Sequence, residues 1–449
     1  MLAVLAVAEL LAMAPWFSAS AVAPTLSRAW QLTPADTAWL TISVQLGFVI
    51  GALLSAVFTL SDLWSARRLV QVSAVAPTLS RVWQLTPAGT AWLTMSVQLG
   101  FVLGALVSAV LTLSDLWSAR RLVQVSALAA ALATFGVARA STPTVGIALR
   151  VVTGAALAGV YPPGMKIVAG WFRDGRGWAI GIMVGALTLG SALPHLLRWL
   201  VPVTVWRPVL ASAGALAMLG AGLMALVPHD GPFATPALQF SWSAVPRILR
   251  QRAVTLANLG YLGHMWELYA MWTWIAAFVA ASEHARTGAA PPVGPIALVT
   301  FAVVGSGAAG CWLGGKYADR WGRTLVTSVA MALSGACSLT VGTLFGHTLA
   351  MLLPVLLVWG VTVVADSAQF SASVSELAPR DLVGTALTLQ TSLGFLLTCL
   401  TIYLLPWVAE RIGWRWSMSV LALGPAVGIW AMLMLRQRPE ASALAGGRR

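Results

Sequence analysis

The residues able to do chemistry in this sequence are few, and where they lie is informative. Glu9, Arg150, Lys166, His195, His264, Glu267 and Asp366 all fall inside long apolar stretches. A charge in such surroundings is costly unless it faces a polar interior or finds a partner, so residues of this kind mark ion, proton or substrate pathways. His264 and Glu267 stand three apart, which puts them on one helical face with Tyr261 and Met271. That face offers a base and an acid for moving a proton or holding a polar solute. Tyr261 and Trp16 are candidates for the floor of a binding site. The five histidines are scattered singly. A His-x-x-Glu pair alone supplies too few ligands for a metal, and no nucleophile–base cluster suggests an enzyme. Neither a metal nor a cofactor is expected.

Several of these residues have a blander reading. Arg150, near the start of its stretch, either binds a solute or snorkels outward. Lys166 reads as an anchor at the end of its stretch. Glu9 either faces the pathway or sits near headgroups. Asp366 lies deep enough for a coupling role.

The elements carrying these residues follow from composition. The chain has 449 residues, 59% hydrophobic and 9% charged, with mean hydropathy +0.83. A soluble domain carries about a quarter charged residues. Apolar stretches recur along the chain, near the ~20 residues that cross a bilayer as a helix. The short alternating strands of a membrane barrel are absent from the pattern, which leaves helices as the spanning element. Net charge is +13, but the arginines sit in short loops, as topology bias requires, and do not point to nucleic acid. Cys311, Cys337 and Cys399 lie in apolar stretches and read as small core residues. No positive residue precedes the first apolar run and Glu9 sits within it, so a first transmembrane helix is expected there and not a signal peptide.

Hydropathy and breakers place spans at 2–22, 38–60, 91–113, 122–138, 144–169, 178–198, 206–227, 253–281, 296–313, 325–345, 349–373, 384–406 and 417–435. Residues 20–72 recur almost unchanged as 73–125, an offset of 53 with six differences, the mark of a recent tandem duplication. With one copy discounted, twelve spans remain, and the inner loops then hold the excess of arginine with both termini cytosolic. Thirteen crossings would invert everything downstream, so one copy is expected to lie at the interface or outside the bundle. The expected organisation is an all-α integral membrane protein of two six-helix halves plus one extra hydrophobic segment. The N-terminal half is 1–228, a cytosolic linker is 229–252, the C-terminal half is 253–438, and a cytosolic tail is 439–449.

Two loops carry related patterns at matching places. One is Gly315-Lys316-Tyr317-Ala318-Asp319-Arg320-Trp321-Gly322-Arg323; the other is Ser114-Asp115-Leu116-Trp117-Ser118-Ala119-Arg120-Arg121, with a twin at Ser61 to Arg68. A tight turn joins two helices, its Asp can meet the amino end of a neighbouring helix, and its arginines can bridge to carboxylates. Gly177 and Gly384 are candidate helix starts for such an Asp, and the Asp115–Asp319 and Gly177–Gly384 offsets of 204 and 207 put both halves on one register. Glu376, Arg380 and Asp381 are expected to join the Asp319–Arg323 network.

The Gly315–Arg323 segment closely resembles the loop signature of the major facilitator superfamily, Gly-x-x-x-Asp-Arg-x-Gly-Arg. The 114–121 segment departs from it at Leu116 and Ser118 but keeps Asp115, Arg120 and Arg121. Arg150-Val151-Val152-Thr153-Gly154 is similar to the superfamily's Arg-x-x-x-Gly. The resemblance implies that the loops latch the outward-facing state and that Arg150 serves proton coupling or substrate binding. Counted in a twelve-span frame, most of the interior charges fall in the first, fourth, seventh and tenth helices, which in the superfamily line the pathway.

The expected function is alternating-access transport of a small solute, most simply proton-coupled uptake of a small organic or inorganic anion. The alternatives are a multidrug or metabolite exporter working by proton antiport, and a non-transporting sensor or defective paralogue. No phosphate-binding GxxxxGK[ST] loop is present to support a primary pump. The expected partners are the solute, protons and the bilayer of the plasma (inner) membrane, with no nucleic acid, and the expected state is a monomer.

Overall fold

The computed structural model describes residues 1–16, 18, 118–139, 143–172, 176–200, 207–233, 244–289, 291, 293–379 and 382–449. The first duplicated segment and most of the second, Asp115 included, lie outside the described residues, as do Arg380 and Asp381. The principal helices are α1 (Leu2–Met13), α2 (Ala119–Arg139), α3 (Pro143–Ala158), α4 (Tyr161–Trp171), α5 (Arg176–Leu200), α6 (Arg207–Leu223), α7 (Arg252–Thr287), α8 (Val293–Trp321), α9 (Arg323–Thr340), α10 (Leu349–Ala365), α11 (Ser367–Leu377), α12 (Val383–Ile412) and α13 (Leu423–Arg436). No strand occurs among the described residues. Eight helical stretches among them are long and apolar enough to cross a membrane, the longest being Val293–Trp321 and Leu349–Leu377 at 29 residues each. The chain is an all-α, multi-pass membrane protein.

The residues divide into two compact units. The first comprises Met1–Trp171, Gly190–Ala237 and Val293–Leu298; the second comprises Phe172–Leu189, Leu238–Pro292 and Val299–Arg449. In the first unit α2 packs on α3 and α6, and α1 on α6. The seam of α2 is made of small residues, with Ala127, Ala130 and Ala131 fully buried. Side chains of this size let helix backbones approach closely, which drives association where lipid is as apolar as the protein. Beyond α6 the chain turns back to α2. Asp230 accepts hydrogen bonds from the backbone N–H groups of Ala119 (2.7 Å) and Arg120 (2.9 Å). It thereby satisfies amides that the first turn of α2 leaves without helical partners.

In the second unit α7 is central and packs on α10, α11, α12 and α13. It is 36 residues long, about 54 Å at ~1.5 Å per residue, so it outreaches a hydrocarbon core of ~30 Å. Two close approaches fix its surroundings. A Cβ on Gly263 would lie 2.4 Å from the Gly424 carbonyl oxygen, and one on Gly424 would lie 2.3 Å from that of Gly263. The α7 and α13 backbones therefore touch directly. Likewise a Cβ on Gly314 of α8 would lie 1.9 Å from the carbonyl oxygen of Ala365, the last residue of α10. The helical run 349–377 breaks just there: Asp366 has φ −89° and ψ −15° between α10 and α11. The α8 backbone thus clamps the break that presents Asp366.

Gly314→Ala should therefore destabilise the protein by about 1–3 kcal/mol, the usual range for overpacking. Gly222→Ala, where a Cβ meets nothing within 4 Å, should be close to neutral. Thermal unfolding in detergent compares the two; equal midpoints would contradict the clamp.

Candidate functional site

The polar core of the second unit is built on the face of α7 that carries Tyr261, His264 and Glu267, all buried. His264 Nδ1 lies 2.9 Å from Asp366 Oδ1, with both side chains 1% exposed. The other ring nitrogen, Nε2, is buried and has no hydrogen-bond partner. The Asp366 carboxylate thus stands against one ring nitrogen and leaves the other for a proton or a solute. Phe370 of α11 covers the ring at 5.6 Å between centroids, and Tyr261 meets Phe370 edge-on at 6.1 Å. Tyr261 fits against α12 where Gly394 leaves room; a Cβ there would lie 2.3 Å from the Tyr261 ring.

One turn along α7, Glu267 is held by two neighbouring helices. The indole N–H of Trp359 on α10 donates to Oε1 at 2.7 Å, and the hydroxyl of Ser334 on α9 donates to Oε2 at 2.7 Å. Both donors are neutral. They orient the carboxyl and satisfy one acceptor site on each oxygen without supplying a compensating charge. Glu267 is 2% exposed, and an ionised group so placed carries an uncompensated charge in a medium of low polarity. The two arrangements, Asp366–His264 and Glu267 with its donors, lie one helical turn apart on α7.

The loop between α8 and α9 forms a second polar cluster in the same unit. Gly322, at φ 94°, turns the chain, and Arg323 opens α9. Arg323 Nε and Nη2 donate to the two carboxylate oxygens of Glu376 at 2.7 and 2.6 Å, a bidentate pair, while Nη1 donates to Gln369 Oε1 at 2.7 Å. Asp319 Oδ1 stands 3.6 Å from Arg323 Nη1. Arg320 is exposed, and Gly315 is buried near the end of α8.

The sequence-derived residues thus fall into separate places. His264, Glu267, Asp366 and Tyr261 come together. Asp319, Arg323 and Glu376 come together through the Gly322 turn. Glu9 is buried in α1 of the first unit, and its Oε1 has no hydrogen-bond partner. Arg150 lies on α3. Arg120 donates from Nη1 to the Val227 carbonyl at 2.8 Å, and Arg121 is exposed. Three of the hydrogen-bonding side chains described above were not expected from the sequence: Trp359, Ser334 and Gln369. Trp359 had a usable signal, being a lone aromatic in the aliphatic run 349–365, seven residues before Asp366. Ser334 and Gln369 had none.

Comparison with known proteins places this architecture. The family model described as Major Facilitator Superfamily matches residues 70–402. No curated protein matches the sequence. Among solved structures, the D-xylose-proton symporter is similar with TM-score 0.65 and 14% identity, covering 98% of each chain. A bacterial homologue of the human lysosomal transporter Spinster, inward-facing and occupied, has TM-score 0.64 and 13% identity over 97% of this chain and 96% of its own. The human organic anion transporter MFSD10 (TETRAN) has TM-score 0.63 and 14% identity over 96% of this chain and 98% of its own. At such identities the likeness shows a shared fold.

The Trp359–Glu267 bond makes a quantitative prediction. Trp359→Phe should cost about 1–3 kcal/mol by stranding a buried acceptor and removing apolar volume. In a Glu267→Leu background the same change should cost less by at least ~0.5 kcal/mol, the threshold of significant coupling. Unfolding midpoints of the four proteins close this cycle, and strict additivity would contradict the coupling.

Proposed function

Since the chain belongs to the major facilitator superfamily, we propose that this membrane transporter is a proton-coupled carrier, taking up a small anionic solute by alternating access. The observation that carries the proposal is the paired arrangement on α7: Asp366 on His264 at 2.9 Å, and Glu267 on two neutral donors at 2.7 Å each. These are the buried acid and base that a proton route needs, inside helices where an idle charge would be hard to sustain.

The steps follow from charge. With one shared proton, the Asp366–His264 pair carries a net negative charge; a second proton makes it an ion pair with none. Glu267 loses its charge on taking a proton and keeps both hydrogen bonds, because Trp359 and Ser334 donate to acceptor sites that a protonated carboxyl still offers. Proton binding therefore lowers the cost of burying the site, and proton release raises it. A carrier whose buried site changes charge in this way couples its conformational exchange to the proton gradient. The Arg150-x-x-x-Gly154 pattern, similar to the superfamily's Arg-x-x-x-Gly, is why we assign the attraction for an anion to Arg150. The fold also serves a D-xylose-proton symporter and an organic anion transporter, so both halves of the proposal fall within its range.

The test uses purified protein in proteoliposomes with a pH-sensitive dye outside, screened against pooled small anions. Addition of one pool should alkalinise the outside. Glu267→Gln and Asp366→Asn should retain solute exchange but lose gradient-driven accumulation by tenfold or more. Undiminished accumulation in both variants would overturn the proton assignment, and acidification in place of alkalinisation would point to antiport and export.

A further inference from the structure

The segment that follows α13 does something its sequence does not announce. Residues 439–447 form short turns in which Leu444 leaves the helix (φ −74°, ψ 135°), and Ala445 (φ 47°) and Gly446 (φ 64°) enter the left-handed region. An alanine in that region is strained and persists only where surrounding contacts hold it. The contacts that hold it are those of the Asp319–Arg323 turn. The Ala445 N–H donates to Glu376 Oε2 at 3.1 Å, the same oxygen that accepts from Arg323 Nε. Arg448 Nη1 donates to the Asp319 carbonyl. The Thr324 hydroxyl donates to the Arg449 carbonyl at 2.8 Å, and Arg436 Nη1 donates to that carbonyl at 2.9 Å. Gly322 is needed here twice over: its φ is 94°, and a Cβ on it would lie 2.2 Å from the carbonyl oxygens of Arg448 and Arg449.

The first unit repeats the device at the equivalent place. The helices α2 and α9 begin 204 residues apart, at Ala119 and Arg323, each following a motif loop. In both units the segment after the next-but-two span returns to the amino end of that helix, through Asp230 in one and 439–449 in the other. The attachments differ in kind. The Asp230 carboxylate accepts from bare helix amides. The 439–449 segment is attached by single hydrogen bonds, two of the four exposed, and buries little apolar surface beyond Ala441 and Leu444. Few buried contacts and exposed hydrogen bonds define an element that opens before the rest of the fold.

We infer that residues 439–449 are a detachable clasp on the Asp319–Arg323 turn, and that its release sets how fast this carrier cycles. The regulatory half of this inference rests on the transport reading above; the clasp itself does not. Attached, the segment shares Glu376 with Arg323 and covers Gly322, so that α8, α9 and α11 are tied together at one point. Detached, it leaves the Arg323–Glu376 pair in place while the turn at Gly322 is uncovered.

The experiment is hydrogen–deuterium exchange on the full chain, comparing wild type with Leu444→Asp and with Ala445→Pro, which removes the donor and cannot adopt a positive φ. Amides in 315–327 should exchange at least tenfold faster in both variants, while those in 257–271 stay unchanged. Unchanged exchange in 315–327 would overturn the clasp. Where a variant exchanges faster throughout, it has misfolded, and Gly322→Ala then decides: its Cβ should eject the segment and speed exchange in 439–449 at least tenfold, and unaltered exchange there would overturn the clasp. In proteoliposomes the released variants should change the initial rate of solute-driven proton movement at least threefold; an equal rate in a transporting protein would overturn the regulatory role. If wild type moves no solute from any pool, the transport reading fails, and the exchange data still judge the clasp.

Discussion

Burying an ionisable group among apolar helices costs several kcal/mol unless neighbouring helices supply its partners, and the second unit is arranged around that requirement. Glu267 takes a donor from α9 and another from α10, and His264 takes Asp366 from the break between α10 and α11. No one helix can satisfy these groups alone. The residues that would be most damaging in isolation are therefore the ones that fix which helices must be neighbours, and at what height. The same requirement governs the loop cluster, where Arg323 is 5% exposed and has its guanidinium matched by Glu376 and Gln369.

Geometry this exact needs stiff supports, and in a membrane these come from close backbone packing more than from the hydrophobic effect. The reciprocal contact of Gly263 and Gly424 fixes α7 against α13 immediately beside His264. The seat of Ala365 on Gly314 fixes the residue before Asp366. Both carriers of the Asp–His pair are thus clamped within one residue of the pair. The last of a series of close α8–α10 approaches, after Gly360 on Val303 and Gly310 on Val361, thus falls on the residue before the acid.

Much of this was legible in the sequence. Low charge and repeated apolar stretches give a helical membrane protein directly. The spacing of His264 and Glu267 gives their common face, and the Gly315–Arg323 pattern gives a turn with an Arg available to a carboxylate, which the structure places on Glu376. The partners of Glu267 were not legible, because Trp and Ser are ordinary residues of membrane helices and only a tertiary contact reveals that these two donate. The glycine contacts were not legible for a similar reason: the sequence has 41 glycines, and spacing does not say which meet a backbone. The return of 439–449 depends on backbone carbonyls and one N–H, groups that every residue carries.

The central claim is that the buried carboxyl of Glu267 on α7 takes up and releases a proton. Infrared difference spectroscopy of the purified protein between mildly acidic and alkaline buffer observes this without any solute. The account predicts a protonated-carboxyl band that appears on acidification, disappears in Glu267→Gln, and shifts in Trp359→Phe because the indole N–H bonds directly to that carboxyl. A spectrum with no such band, or a band that survives unchanged in Glu267→Gln, would contradict it.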